Sequence, residues 1–361
     1  MTELKFLHGG NLWEASRERG IPPEKIIDFS ANINPWGELF GIKDYINKNM
    51  DSIFHYPDPD SKRLTLKLSE FLKVDRERII VGNGATEIIY LIMEAVRPSF
   101  AVIPVPTFTE YERALKLTHG RAIFLLLEEE KDFNMELDKL IKKSRNAQMI
   151  VICNPNNPTG KILPLSVMQE ILEEAEKKGK FVMVDESFID FQPQNSLISS
   201  IERYRGLFIL RSFTKFFSIA GLRLGYGVGS REIIAKIKSI KQPWTVNSLA
   251  EIAGIGILEN IEKAERLREW IEKEKDFLYK NLSKMKEIEP YPSVANFILI
   301  KIKAPFSSSW LANELAEKGI LIRDCSNFTG LSDKFFRIAV RTREENEKLI
   351  YNLEQIFRSK V

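Results

Sequence analysis

The sequence predicts an α/β fold in which a mostly parallel sheet is sandwiched by helices, with a smaller α+β unit after it. Three observations lead there. Short apolar runs alternate with amphipathic, helix-like stretches between residues 78 and 229. Polar and glycine-bearing motifs recur just past the ends of those runs, where open α/β sheets put their ligands. Beyond Gly229 the alternation gives way to helices and then to a second set of strands.

The bulk properties are those of an ordinary globular protein. A chain of 361 residues with 44% hydrophobic content can build two domains with a substantial core. Lysines and arginines number 53 against 50 acidic residues, a net charge of +3. These charges are spread along the helices rather than gathered in one tract, so neither nucleic acid nor a membrane surface is an expected partner. The two cysteines, Cys153 and Cys325, lie outside any Cys-x-x-Cys pattern and fit a reducing compartment. The three histidines are too scattered to suggest a metal site. No amino-terminal segment resembles a signal peptide and no run approaches membrane-spanning length, which places the expected location in the cytoplasm.

Taken in order, the first fifty residues read as irregular, punctuated by Pro22, Pro23 and Pro35, with a strand-like stretch at 26–29. His8-Gly-Gly-Asn11 and Ser30-Ala-Asn-Ile-Asn-Pro-Trp-Gly37 are either turn chemistry or substrate contacts, and composition alone favours turns. Strands are expected at 78–81, 101–105, 122–127, 149–153, 181–184 and 207–210, each a short apolar run bounded by turn residues. Helices are expected between them at 87–96, 111–117, 135–144 and 165–178. The later region reads as helices at 232–240, 249–258 and 261 to about 285, then a strand at 296–300, a helix at 310–318, strands around 321–322 and 336–340, and a terminal helix from 344.

The chemistry concentrates after the strand at 207–210, in Arg211-Ser-Phe-Thr-Lys-Phe-Phe-Ser-Ile-Ala-Gly-Leu-Arg-Leu-Gly225. Lys215 follows a buried strand, Ser212 and Thr214 offer hydroxyls, Arg223 offers a planar cation, and Gly221 and Gly225 let the backbone come close. An amine beside a phosphate cradle is what pyridoxal 5'-phosphate requires of a protein. Gly82-Asn-Gly84-Ala85-Thr86 bridges a strand to a helix amino terminus, where free amides accept a phosphate, although a plain tight turn has the same composition. Asp185, at the end of its strand, could pair with the pyridine nitrogen and keep it protonated; Asn157 could donate to the ring hydroxyl; Phe108 could stack on the ring face. Each also has a bland reading, as helix cap, turn former and core residue respectively.

Asn154-Pro-Asn-Asn-Pro-Thr-Gly160, Asp185-Glu186 and the Lys215–Gly225 block together resemble the fold-type I pyridoxal-phosphate enzymes, specifically the class I/II aminotransferase superfamily. The resemblance covers essentially the whole chain. It implies a large cofactor-binding domain at 49–265, a small carboxyl-terminal domain at 266–361, and an amino-terminal segment, 1–48, that joins the small one. It also implies a homodimer with shared active sites, in which Tyr56 reaches the neighbour's cofactor phosphate, and a substrate carboxylate held by Arg337.

Two families within the superfamily compete. Histidinol-phosphate aminotransferases share Tyr56-Pro-Asp-Pro, Arg323 and Arg337-Ile. The threonine-phosphate decarboxylases of cobamide biosynthesis are more similar in His8-Gly-Gly-Asn11, Asp28-Phe-Ser-Ala-Asn-Ile-Asn-Pro-Trp-Gly37, Pro243-Trp-Thr-Val-Asn247 and Ile322-Arg-Asp-Cys-Ser-Asn-Phe328. Phe188 points the same way, since most aminotransferases carry tyrosine there. That resemblance implies decarboxylation of L-threonine O-3-phosphate to 1-aminopropan-2-ol O-phosphate, with His8, Asn32, Asn157, Arg323 and Arg337 around the substrate. Which arginine takes phosphate and which takes carboxylate stays open at this stage.

Overall fold

The computed structural model describes residues 8–360. It divides into two compact units: residues up to Pro35 with Pro158–Gly160 and Arg266–Val361, and Trp36–Asn157 with Lys161–Glu265. Residues 36–48 therefore group with the second and larger unit.

The larger unit is built on a seven-stranded sheet whose spatial order is Ile79–Asn83, Leu224–Val228, Leu207–Ser212, Phe181–Asp185, Met149–Cys153, Phe100–Val105, Arg121–Leu126. Leu224–Val228 runs against both its neighbours, and the pairings from Leu207–Ser212 across to Arg121–Leu126 are parallel. Met149–Cys153 and Leu207–Ser212 are buried along their whole length. This is the signature of strands covered on both faces, and it explains why they are continuous apolar runs rather than alternating ones. The helices Gly84–Val96 and Arg231–Ile240 supply Ile88, Ile92, Met93, Ile234 and Ile237 to a core that also holds Phe208 and Tyr111. Complete burial of Phe208 is worth about 2–3 kcal/mol by apolar area alone.

The Leu224–Val228 strand has no counterpart in the sequence reading. Its alternating Gly225 and Gly227 lower its strand signal, and packing demands both. A Cβ at Gly225 would lie 2.5 Å from the Ala85 nitrogen, and one at Gly227 would lie 2.3 Å from the Phe208 ring.

The smaller unit holds a four-stranded antiparallel sheet in the order Arg323–Asp324, Phe335–Ala339, Phe297–Ile302, Ile288–Pro290, and a two-stranded parallel pair, Ile27–Asp28 with Ile320–Leu321. Helices Ser308–Ala316 and Arg343–Lys360 pack on it through Leu311, Leu315, Leu349, Leu353 and Phe357, with Phe29 and Phe336 at the centre of that core.

The amino-terminal region is less irregular than its composition suggests. Helix Leu12–Arg19 is capped by the Asn11 side chain, which accepts from the Glu14 amide at 3.2 Å, and Ile42–Lys48 forms another helix. Both are short, and the first is too charged to show an apolar stripe.

Candidate active site

The carboxyl ends of three adjacent parallel strands meet in one place because their register puts them there. Cys153 pairs with Asp185, and Asp185 pairs with Leu210, two residues before Ser212. The loop carrying Asn157 thus leaves the sheet beside Asp185, and Lys215 leaves it from the strand on the other side. At Lys215 the amine lies 3.3 Å from Ser212 Oγ, which in turn is 2.7 Å from Thr214 Oγ1. Ser212 and Thr214 are buried, and Lys215 is half-buried. Phe188 is buried with its ring centroid 5.7 Å from the Lys215 amine.

The next strand closes the cradle. Gly225 stands opposite both Gly82 and Ser212, so Arg223, two residues earlier, emerges beside the Gly84–Val96 helix amino terminus. Arg223 has φ 60°, donates from Nη1 to Ala220 O at 3.1 Å, and holds its Nη2 where a Cβ at Gly84 would be only 2.7 Å away. Gly84 itself has φ +77°, a left-handed conformation that glycine adopts without strain. Only a residue with no side chain lets the guanidinium come over the helix end at this point.

Asp185 is buried and its carboxylate is held on both oxygens. Tyr111 Oη donates to Oδ2 at 2.6 Å, and the Ser187 amide donates to Oδ1 at 2.8 Å. Burial, together with the Asp185 charge, pushes the Tyr111 hydroxyl well above the usual tyrosine range. The same two causes push the neighbouring Cys153 thiol up to about 12. Phe108 meets the Tyr111 ring edge-on, with centroids 5.6 Å apart and planes at 80°. The Asn157 loop is anchored through its neighbour: Asn156 donates to Pro106 O at 3.0 Å and accepts from Thr107 Oγ1 at 2.8 Å.

A second buried set braces the same strand ends. Glu186 accepts from Ser196 Oγ at 2.8 Å and from the Leu197 amide at 2.7 Å, and it lies 3.4 Å from Arg211 Nε, while Arg211 Nη1 reaches Asp190 at 3.3 Å. Burial raises the Glu186 carboxyl despite the opposing arginine. Because Glu186 follows Asp185 and Arg211 precedes Ser212, this pair ties the aspartate strand to the lysine strand.

Tyr56 stands apart from these groups. It is 83% exposed and packs on Trp244, with ring centroids 5.0 Å apart.

In the smaller unit, Arg323 and Arg337 are register partners on neighbouring antiparallel strands, and both are buried. Arg337 Nη2 donates to Ser30 O at 2.9 Å, Arg323 Nη2 donates to Asn327 Oδ1 at 2.8 Å, and Arg323 lies over the Phe328 ring. Burial holds both guanidiniums below the usual arginine range, and for Arg337 the Arg323 charge adds to the effect. An anion bound here would relieve that cost. Arg323, His8, Asn11 and Ser30 line an open cleft of ≈ 250 Å³. Asn32 is buried, and its carbonyl accepts from Asn296 Nδ2 at 3.1 Å.

Tyr111, Ser187 and the Glu186–Arg211 pair did not stand out in the sequence. Tyr111 had one available signal, its place three residues after Phe108 in the first turn of a helix that follows a strand end.

This donor set fits pyridoxal 5'-phosphate. The Ala85 and Thr86 region of a helix amino terminus, two hydroxyls and a guanidinium suit a dianionic phosphate; an amine stands next to those hydroxyls; and a buried carboxylate at the neighbouring strand end would suit a pyridine nitrogen. The fold and the site define a pyridoxal-phosphate enzyme of fold type I. Residues 24–353 match the family model described as aminotransferase class I and II, and the chain belongs to that family, whose cofactor is pyridoxal 5'-phosphate.

Over 98% of its length the chain is 39% identical to a Caldanaerobacter subterraneus subsp. tengcongensis protein that carries the name threonine-phosphate decarboxylase provisionally, covering 94% of that protein. The threonine-phosphate decarboxylase of Salmonella typhimurium is 33% identical over 99% of this chain and 98% of its own. Among solved structures, the histidinol-phosphate aminotransferase from Clostridium acetobutylicum is 34% identical with a TM-score of 0.86, covering 92% of this chain and 99% of that one.

Proposed function

We propose that the protein decarboxylates L-threonine O-3-phosphate to (R)-1-aminopropan-2-ol O-phosphate, a step of cobamide biosynthesis. The observation that carries this reading is the 39% identity, over 98% of the chain, to the Caldanaerobacter relative; the buried, register-paired Arg323 and Arg337 agree with it. Two adjacent cations match an amino acid that bears both a phosphate and a carboxylate; histidinol-phosphate aminotransferases share both arginines, so the pair defines the charge of the substrate and the relatives decide the branch. The 39% and 33% identical relatives support the same branch.

The residues take their roles from their chemistry. Gly84, Ala85, Thr86, Ser212, Thr214 and Arg223 would hold the cofactor phosphate, Phe108 would stack on the ring, Asn157 would donate to its hydroxyl, and Asp185 would pair with its nitrogen. When bound, the cofactor supplies an electron sink conjugated with the substrate Cα. The protein's part is then to choose which Cα bond stands perpendicular to that conjugated system. Arg323 and Arg337, with His8 and Asn32, hold the substrate anions so that the carboxylate bond takes that position rather than the Cα hydrogen. Lys215 anchors the cofactor and afterwards delivers a proton to Cα. Phe188 presents an apolar ring beside Lys215, which leaves Asn157 as the principal side-chain donor to the ring hydroxyl.

The protein acts as a cytoplasmic homodimer, a reading supported by the exposed Ile53, Phe54, Tyr56 and Trp244, which offer an apolar patch to a second copy. There Tyr56 reaches the partner's cofactor phosphate.

Incubation with L-threonine phosphate, following carbon dioxide release and cofactor absorbance, tests the reaction. Release over many turnovers with the starting spectrum preserved supports it. No release, with histidinol phosphate and 2-oxoglutarate turned over instead, replaces it with the aminotransferase.

A further inference from the structure

One fully buried polar group at the site has no part in the reading above: the Tyr111 hydroxyl. Tyr111 sits in the first turn of the helix Glu110–Leu117 and is 0% exposed. Its hydroxyl donates to Asp185 Oδ2 at 2.6 Å, and its ring edge meets Phe108. One side chain thus touches two of the three residues assigned to the cofactor ring, the one at its nitrogen and the one on its face.

We infer that Tyr111 is a positioning residue that keeps the Asp185 carboxyl compensated on both oxygens and aimed at the cofactor's ring nitrogen while its own ring fixes the plane of Phe108. The inference rests on the Asp185 assignment made above. A carboxylate that is only 4% exposed is disfavoured as an anion unless donors compensate it. Here each oxygen has one: Tyr111 O–H on Oδ2 and Ser187 N–H on Oδ1. The hydroxyl is a fixed donor, because burial and the adjacent charge keep it protonated. Ser187 alone would leave Oδ2 uncompensated. Asp185 would then be the stronger base and would draw the shared proton from the ring nitrogen onto its own oxygen. The N–H bond would break and an O–H bond would form on Asp185, leaving the ring neutral and a weaker electron sink.

Tyr111→Phe removes one oxygen and keeps the ring, so it separates the donor from the packing; Tyr111→Leu removes both. The experiment loads wild type, both variants and Asp185→Asn with pyridoxal phosphate labelled with ¹⁵N in the ring, and records the nitrogen resonance, the cofactor Kd, and kcat and KM for L-threonine phosphate. Near-ultraviolet circular dichroism confirms that each variant is folded.

The expected result is a resonance in Tyr111→Phe displaced from the protonated toward the unprotonated value, with kcat lower by about 10-fold and KM within about twofold of wild type. Tyr111→Leu weakens cofactor binding further, by about 10-fold relative to Tyr111→Phe, as Phe108 loses its support. An unmoved resonance in Tyr111→Phe, while Asp185→Asn shifts it, overturns the inference and leaves the Asp185 assignment standing. A resonance that Asp185→Asn also fails to move overturns both. Equal cofactor affinity in the Phe and Leu variants overturns the Phe108 half.

Discussion

Gly84 and Arg223 occupy each other's space: the position a Cβ on Gly84 would take lies 2.7 Å from Arg223 Nη2, and both residues have positive φ, +77° and 60°. Gly84→Ala must therefore displace the guanidinium and also adopt a left-handed backbone, which costs about 1–2 kcal/mol for a residue with a Cβ. The expected outcome is a rise of at least about 10-fold in the cofactor Kd with a smaller loss of thermal stability, read by titration of the apoprotein and by melting.

Lys215→Ala removes the amine proposed to anchor the cofactor. The variant is expected to lose the visible absorbance band and all turnover, while pyridoxal phosphate remains dialysable, held only by the phosphate and ring contacts. A persisting visible band after dialysis contradicts the assignment.

Arg323 and Arg337 are expected to act on substrate rather than on cofactor. Arg337→Lys keeps a charge but loses the planar fork. KM for L-threonine phosphate should rise by about 10-fold or more, with the cofactor spectrum unchanged. The corresponding Arg323→Lys comparison, run with O-phosphoethanolamine and with threonine as competitors, tells which arginine takes phosphate and which carboxylate.

Both cysteines are buried and read as thiols, Cys153 pushed up to about 12 and Cys325 to about 11, in each case chiefly by burial. At pH ~8 the folded protein should not react with an aromatic disulfide reagent, and two thiols should react after denaturation. Since folding raises these values above their ordinary ~9, the folded chain binds more protons than the unfolded one across that window. Stability contributed by the protonated thiols is complete below the ordinary value and is lost as pH rises toward 11–12, a decline that melting curves would follow.

Much of this architecture was legible because buried parallel strands announce themselves. Met149–Cys153 coincides with its predicted run, and Leu207–Ser212 extends its run by two residues. Leu224–Val228 was hidden because close packing against Ala85 and Phe208 selects glycines, which carry no strand signal. The helix Leu12–Arg19 was hidden for the opposite reason: none of its residues is buried, so no apolar stripe was required. Lys215 and its hydroxyl neighbours could be read because they are local in sequence. Tyr111 and the Glu186–Arg211 pair could not, since their partners stand 74 residues away in one case and across a strand pairing in the other.

The register that sets Cys153 opposite Asp185 and Asp185 opposite Leu210 also sets when the site can come into being. Each of these strands is separated from the next by a long excursion of chain, so their pairing is a late, non-local event. A slip of one residue would turn Asp185 to the opposite face of the sheet. Partly folded chains therefore lack the assembled phosphate cradle and ring contacts, and most of the cofactor's binding energy falls on the native state. Supply of pyridoxal phosphate should raise the melting temperature in proportion to the logarithm of its concentration, so that the cellular level of a small molecule sets how much of this enzyme survives.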